Sequence, residues 1–253
     1  MYVGRVTFLY SDEGEQVRPT MDLFWRFGKF GFRGSASYRN AKNYFAPSGS
    51  FGDITLGDNT EVNDTGVEDQ NYSLLLDYSF NLDHSVFVKG EYYNARDAGF
   101  GYVSNDDLGT PDDVSIVIQY PDQSVGKLTA GYRAQDLSWG IADRLDISGF
   151  YMNNERDLVQ NIGIPGVFGP GQDVTLAINS QNYTDISSVG TRAEAAKLLG
   201  GKHLLTYGLD FYFDDSKNTD RTVTTFVGED APPFPPDVDE TPNVPNATYN
   251  RFG

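Results

Sequence analysis

Two histidines, His84 and His203, and no cysteine make up the soft-ligand and imidazole inventory of this 253-residue chain. A zinc centre needs three or four converging His, Cys or carboxylate ligands, and a histidine-activated nucleophile needs a hydroxyl or thiol beside the ring. Both histidines instead adjoin short polar turns, Asn81-Leu82-Asp83 and Gly200-Gly201-Lys202. Nucleophile-elbow, HExxH and phosphate-loop patterns do not occur in the sequence. Among 36 acidic residues, neighbouring carboxylates arise by chance, so their pairs do not specify glycosidase chemistry. Asp106, Asp107, Asp112 and Asp113, and Asp214, Asp215 and Asp220, are hard oxygen donors of the kind Ca²⁺ takes, but they lack EF-hand spacing and read as solvated surface. No catalytic residue, metal site or cofactor is expected, and the chain reads as a non-enzyme.

The charge balance of −17 argues against a nucleic-acid partner, whose phosphates would be repelled. Without cysteine there is no disulfide framework and no redox compartment to read. No apolar run approaches the roughly 20 residues of a membrane helix, and no signal-peptide pattern opens the chain. Aromatic residues at 14% and 27 glycines favour β-structure.

Period-2 alternation dominates the sequence. Tyr72, Leu74, Leu76, Tyr78 and Phe80 fall on one face, with Asn71, Ser73, Asp77 and Ser79 on the other. The same pattern recurs in Phe30 to Arg39, Lys127 to Gln135 and Leu205 to Phe213. Strands are expected at 1–10, 18–28, 30–40, 70–80, 85–95, 125–135, 143–154, 182–198, 203–214 and 247–253. Thr191 to Leu199 also fits a helical capping box, and its context decides for strand. Short turns at 28–29, 81–84, 137–142 and 200–202 alternate with long polar connections near 41–69, 96–124, 155–181 and 215–246. An up-and-down antiparallel meander so built has tight turns at one end and long loops at the other.

That asymmetry, with apolar and polar faces alternating along each strand, is the pattern of outer-membrane β-barrels. Mid-strand charges such as Lys89, Glu91, Arg144 and Asp146 suit a wet or plugged lumen, whereas a dry core would need each one paired. Tyr10, Trp25, Phe27, Tyr38, Tyr78, Phe80, Tyr92, Tyr132, Tyr151, Tyr207 and Phe213 fall toward segment ends on the apolar side, as interfacial girdles do.

Three stretches carry a family resemblance. Gly200-Gly201-Lys202-His203-Leu204-Leu205-Thr206-Tyr207-Gly208-Leu209-Asp210-Phe211-Tyr212-Phe213-Asp214-Asp215 is similar to a turn and following strand of TonB-dependent outer-membrane receptors. Phe80 to Phe100, with Lys89-Gly90-Glu91-Tyr92-Tyr93-Asn94-Ala95-Arg96-Asp97-Ala98-Gly99-Phe100, resembles a strand pair that opens into a long extracellular loop. Phe32-Arg33-Gly34-Ser35-Ala36-Ser37-Tyr38-Arg39-Asn40 resembles an early barrel strand. The resemblance implies a 22-stranded barrel with a plugged lumen, of which 22 strands alone need roughly 240 residues. Residues 1–253 are therefore expected to be a partial gene product, about ten strands of the barrel's first half without the plug domain.

The resemblance further implies active transport across the outer membrane of a Gram-negative bacterium, with a ferric siderophore as the expected cargo. Its implied partners are outer-membrane lipid, the iron chelate, and the TonB–ExbB–ExbD energy-coupling complex acting through the plug. An anionic chelate would be met by Arg39, Arg96 and Arg156, with Tyr44, Tyr93 and Tyr102 as flat hydrogen-bonding surfaces. Arg33 and Arg133 would face the lumen and pair with the plug. Two other readings stay open: a soluble or surface-attached all-β binding or adhesin protein, and a smaller porin-like barrel.

Overall fold

The computed structural model describes residues 2–11, 15–169 and 171–253. Period-2 alternation becomes β1 (Tyr2–Ser11), β2 (Gln16–Phe27) and β3 (Phe30–Ala41). The next connection carries β4 (Tyr44–Phe45), β5 (Gly49–Phe51), β6 (Ile54–Leu56) and β7 (Glu61–Val62). There follow β8 (Val67–Ser79), β9 (His84–Gly99), the single-turn α1 (Asn105–Leu108), β10 (Ser115–Ala134), β11 (Arg144–Pro165), β12 (Thr175–Leu199), β13 (His203–Val227), β14 (Asp237–Asp239) and β15 (Ala247–Phe252). The main sheet runs β1-β2-β3-β8-β9-β10-β11-β12-β13, each strand antiparallel to the next, and both β14 and β15 pair with β13. Each of the ten expected strands is present, and Thr191 to Leu199 belongs to β12.

The register keeps one apolar face across the meander. Leu23 faces Gly34, Gly34 faces Leu74, Leu74 faces Gly90, Gly90 faces Leu128, Leu128 faces Tyr151, Tyr151 faces Val189, and Val189 faces Phe213. A one-residue slip in any pair would move a polar row onto this face, so the alternation itself fixes the pairing. Among the described residues nothing covers the face: Val6 is 76% exposed, Phe8 68%, Leu128 55% and Leu209 63%. Among the described residues the buried hydrophobic side chains are only Ala95, Ala134, Leu137, Ala142 and Val174. A water-soluble domain of this size buries a contiguous core; this sheet presents its apolar side outward.

The opposite face is polar and cross-linked. Arg5 pairs with Asp22 at 3.0 Å, Lys89 with Glu91 at 2.6 Å, Arg133 with Asp146 at 3.0 Å and Arg192 with Glu194 at 2.7 Å. Aromatic rings lie over glycines on the same face. Phe87 stands opposite Gly131 and Phe150 opposite Gly190, where in each case a Cβ would meet the ring at 2.3 Å. Cations cap two of these rings, Arg133 at 4.5 Å from the Phe87 centroid and Lys127 at 4.7 Å from that of Phe150.

One end of the sheet is closed by tight turns. Gly28 takes φ +56° between Phe27 and its partner Phe30, a left-handed value that glycine adopts without strain. Asn81 Oδ1 accepts the backbone N–H groups of Asp83 at 2.9 Å and His84 at 2.8 Å, so its side chain builds the turn. In the 135–143 turn, Asp143 accepts from Lys197 Nζ at 2.6 Å and from the Leu198 N–H at 2.8 Å, and Tyr207 donates to the Ile141 carbonyl at 2.6 Å.

The other end differs from expectation. Long connections were expected at 41–69, 96–124, 155–181 and 215–246, but they are 42–66, 100–114, 166–174 and 228–246 because the strands continue. β10, β11, β12 and β13 hold 20, 22, 25 and 25 residues. Their far halves were missed because apolar alternation stops at Tyr151, Val189 and Phe213. Beyond that row the same face carries Asn153, Ser187 and Asp215, then Glu155, Asp185 and Lys217, then Asp157, Tyr183 and Thr219. Backbone ladders and β-branched runs such as Thr222-Val223-Thr224-Thr225 sustain the strands there without an apolar row on that face. Tyr151 and Phe213, expected at strand ends, therefore sit mid-strand.

Candidate functional site

The long-connection end is where chemistry-bearing side chains gather, and its strands divide them between two faces. Arg39, Tyr93 and Arg156 share the polar face with Arg33 and Arg133, because all fall on the alternate set to the apolar rows. Arg39 stands opposite Asp69 and donates to its carboxylate, with Asp69 among the buried residues of the sheet. Tyr93 lies between Asn71 and Val125. Arg156 places its guanidinium 5.8 Å from the Tyr120 ring centroid. Arg96 is carried on the other face, 3.6 Å from Asp122, whose second oxygen accepts from Asn94 at 3.0 Å.

Tyr44 and Tyr102 are joined through their loops. Tyr44 pairs with Val62 in the β4–β7 ribbon and donates its N–H to Thr65 Oγ1 at 3.1 Å. One residue past that ribbon, Asn63 and Tyr102 exchange backbone hydrogen bonds of 2.7 and 3.1 Å. Gly99 lies so close to Asp64 that a Cβ there would meet the Asp64 Cβ at 2.4 Å, and the two connections are thereby packed into one unit. Burial first, and the neighbouring Asp64 carboxylate second, push the Tyr102 phenol above its ordinary value.

Arg33 and Arg133 both sit on aromatic rings, Arg33 at 5.8 Å from Phe24 and Arg133 at 4.5 Å from Phe87, and Arg133 adds the Asp146 pair. The histidines stay at the turn end, as expected from their neighbours: His84 Nδ1 lies 2.6 Å from the Tyr132 hydroxyl, with the rings stacked. Among the described residues no cluster of His, Cys, Asp and Glu has metal-binding geometry.

A feature of the far tips was not legible beforehand. Asp173 Oδ2 accepts the Glu229 N–H at 3.1 Å, Asp230 Oδ2 accepts the Asp173 N–H at 3.0 Å, and the Asp230 N–H reaches the Asp173 carbonyl at 3.2 Å. This clasp ties the 166–174 connection to the 228–246 connection. It brings Phe168 to 5.2 Å from Phe226 and Phe226 to 6.1 Å from Phe234. The Thr222–Val227 run was the available signal, since its composition is that of a strand, but it lay inside a stretch expected to be loop.

No protein-family model matches the chain, and no curated protein matches it in sequence. Several solved structures resemble it, among them two transporters. The copper transporter OprC superimposes with a TM-score of 0.49 at 8% identity, over 100% of this chain and 42% of that one. The FrpB iron transporter from Neisseria meningitidis, F3-3 variant, superimposes with a TM-score of 0.44 at 12% identity, over 90% of this chain and 43% of that one. The chain thus spans less than half the length of either.

Proposed function

We propose that this chain is a segment of an outer-membrane β-barrel receptor of the TonB-dependent type, importing a scarce nutrient, with an iron chelate as cargo. The observation that carries the barrel reading is the sheet itself. A meander of long antiparallel strands leaves one continuous apolar face uncovered, bordered by Tyr78, Tyr132 and Tyr207 on the turn side and by Tyr38, Tyr72, Tyr92, Tyr151 and Phe213 on the loop side. From Tyr72 to Tyr78, or Tyr207 to Phe213, six residues rise about 20 Å, close to the roughly 25 Å of a barrel's lipid-facing band. Lipid is the solvent such a face needs. The iron chelate and the coupling to TonB–ExbB–ExbD rest on the sequence resemblance alone.

In this reading Arg39, Tyr93 and Arg156 line the lumen above the band, and Arg33 and Arg133 lie within it, where a plug would meet them. Tyr44 and Tyr102 belong to the packed loop unit at the extracellular end, and Arg96 faces outward just above the lipid.

The absence of cysteine makes a direct test clean. Single cysteines at Val88, Leu128, Thr219 and Lys202 are expressed in a Gram-negative outer membrane and challenged with a membrane-impermeant maleimide. Thr219→Cys is expected to label from outside, Lys202→Cys only after permeabilisation, and Val88→Cys and Leu128→Cys poorly in both cases. Equal labelling of the band and tip positions would overturn the barrel reading in favour of a soluble β-protein.

A further inference from the structure

The loop end has an electrostatic character opposite to the one an anionic ligand would want. The 42–66 connection holds four acids, 100–114 four, 166–174 one and 228–246 five, against a single base, Lys42. Lys42 is itself paired with Glu15 at 2.5 Å. Of the arginines just below, Arg39 and Arg96 are met by the carboxylates of Asp69 and Asp122, and Arg156 by the Tyr120 ring. A ligand arriving from outside therefore meets negative potential first.

Within that field stands the three-ring corner. Phe226 is half-buried at the end of β13, on the polar face with Leu176 of β12 opposite it. Its ring neighbours Phe168 and Phe234 are 50% and 62% exposed. The interplanar angles are 49° for Phe168 with Phe226 and 66° for Phe226 with Phe234, so the rings form walls set at angles and do not close by stacking on one another. Isolated apolar rings at the wet tip of a strand would cost solvation, yet the Asp173 clasp fixes both loops so that the rings stay together. Gly228, at φ +127°, approaches the Asp173 carbonyl so closely that a Cβ would lie 2.0 Å from it, which makes the clasp a specific backbone fit. The two connections contain no lysine or arginine to occupy the corner. Arg221, the closest base along β13, lies on the other face and stands 3.8 Å from Glu240.

We propose that the Phe168–Phe226–Phe234 corner is a first-contact site for an organic cation, an alkylammonium group carried on the transported molecule. Ring faces are negative and attract a cation placed within about 6 Å of a centroid, most strongly when the cation is a weakly hydrated alkylammonium. The surrounding carboxylates of Asp173, Glu229 and Asp230 select the sign, while the rings select an apolar ammonium over a hydrated metal ion. This rests on reading the loop end as extracellular, and it narrows the cargo to a chelate or other nutrient bearing a cationic group.

The test uses the full chain in detergent micelles and two probes of the same shape, a trimethylammonium alcohol and its neutral tert-butyl analogue, with binding followed by ligand-observed NMR. The cation is expected to bind about tenfold more tightly than the neutral probe, a difference of the size cation–π contacts give. Phe226→Leu and Phe234→Leu should erase that preference, and Glu229→Gln should reduce it in low salt more than in high salt, since screening shortens the field. Equal binding of both probes, or preference for a sulfonate of the same shape, would overturn the proposal. The cysteine-labelling experiment reports separately on the barrel. Cation preference without outside labelling would sink the transport reading while leaving the corner, and outside labelling without cation preference would do the reverse.

Discussion

β11, β12 and β13 are each one continuous strand, yet their two halves differ in which face is apolar. Near the turns, Ile147, Ala193 and Leu209 align on the apolar face, and the polar face is held by Arg133–Asp146 and Arg192–Glu194. Past Tyr151, Val189 and Phe213 the formerly apolar face turns to Glu155, Asp185 and Lys217, while the other face becomes apolar at Ile162, Ile178 and Phe226. The backbone ladder does not change across this boundary. What changes is which face carries the apolar side chains, and the comparison shows that strand formation and face polarity are separately encoded.

The sharpest way to break the comparison is to put a charge into each half. In the proposed barrel, Leu74→Arg, between Tyr72 and Tyr78 on the apolar face, is expected to destabilise the inserted chain by about 2–4 kcal/mol, the cost of arginine near a bilayer midplane. Thr219→Arg, on the same face of the far half, is expected to change stability by less than about 0.5 kcal/mol. Urea titration in lipid vesicles measures both, and equal effects would abolish the distinction.

A smaller effect is expected from the far tip. Gly228→Ala adds a Cβ against the Asp173 carbonyl at a left-handed backbone position, which should cost about 1–3 kcal/mol of local stability. The expected readout is faster proteolysis within 228–246 with the band still protected; protection lost throughout would mean that the halves are one cooperative unit. The cross-strand pair Arg133–Asp146 is partly exposed, so a double-mutant cycle is expected to yield only about 0.2–1 kcal/mol. A much larger coupling would show that the polar face is as water-poor as a core.

The smallest effect concerns a turn. Asp143 titrates below its ordinary value, first because Lys197 hydrogen-bonds its carboxylate and then because the Leu198 N–H does. A depressed folded-state pKa stabilises the turn above the unfolded value of about 4 and loses that contribution as pH falls through the folded value. Hydrogen exchange at Leu198 is therefore expected to accelerate below about pH 4, and Asp143→Asn should remove that dependence.

Much of this was readable in the residues. Leu74-Leu75-Leu76-Asp77-Tyr78 and its counterparts could bury one face only as strands, because side chains alternate every residue; the turns at Gly28-Lys29 and Gly200-Gly201 followed from the glycines. Of the arginines and tyrosines expected to meet a ligand, Arg39 and Tyr93 could be placed on strands, whereas Arg96 and Arg156 were expected in loops and lie in β9 and β11; nor were the partners legible, since Arg39 with Asp69 and Arg96 with Asp122 are cross-strand encounters between residues some 26 to 30 positions apart. The far halves of β10–β13 escaped because polar residues such as Glu155, Asp185 and Lys217 continue the face that carries the apolar row in the near halves, so the alternation that marks a strand fades there.

The sequence by itself determined the meander and its apolar band, since each depends on local period and on short turns. Only the tertiary structure decided the Asp173 clasp and the three-ring corner. Their members, Phe168, Asp173, Phe226, Glu229, Asp230 and Phe234, come from two connections and the end of β13 with no shared period, and they meet because β12 and β13 run side by side to the same height.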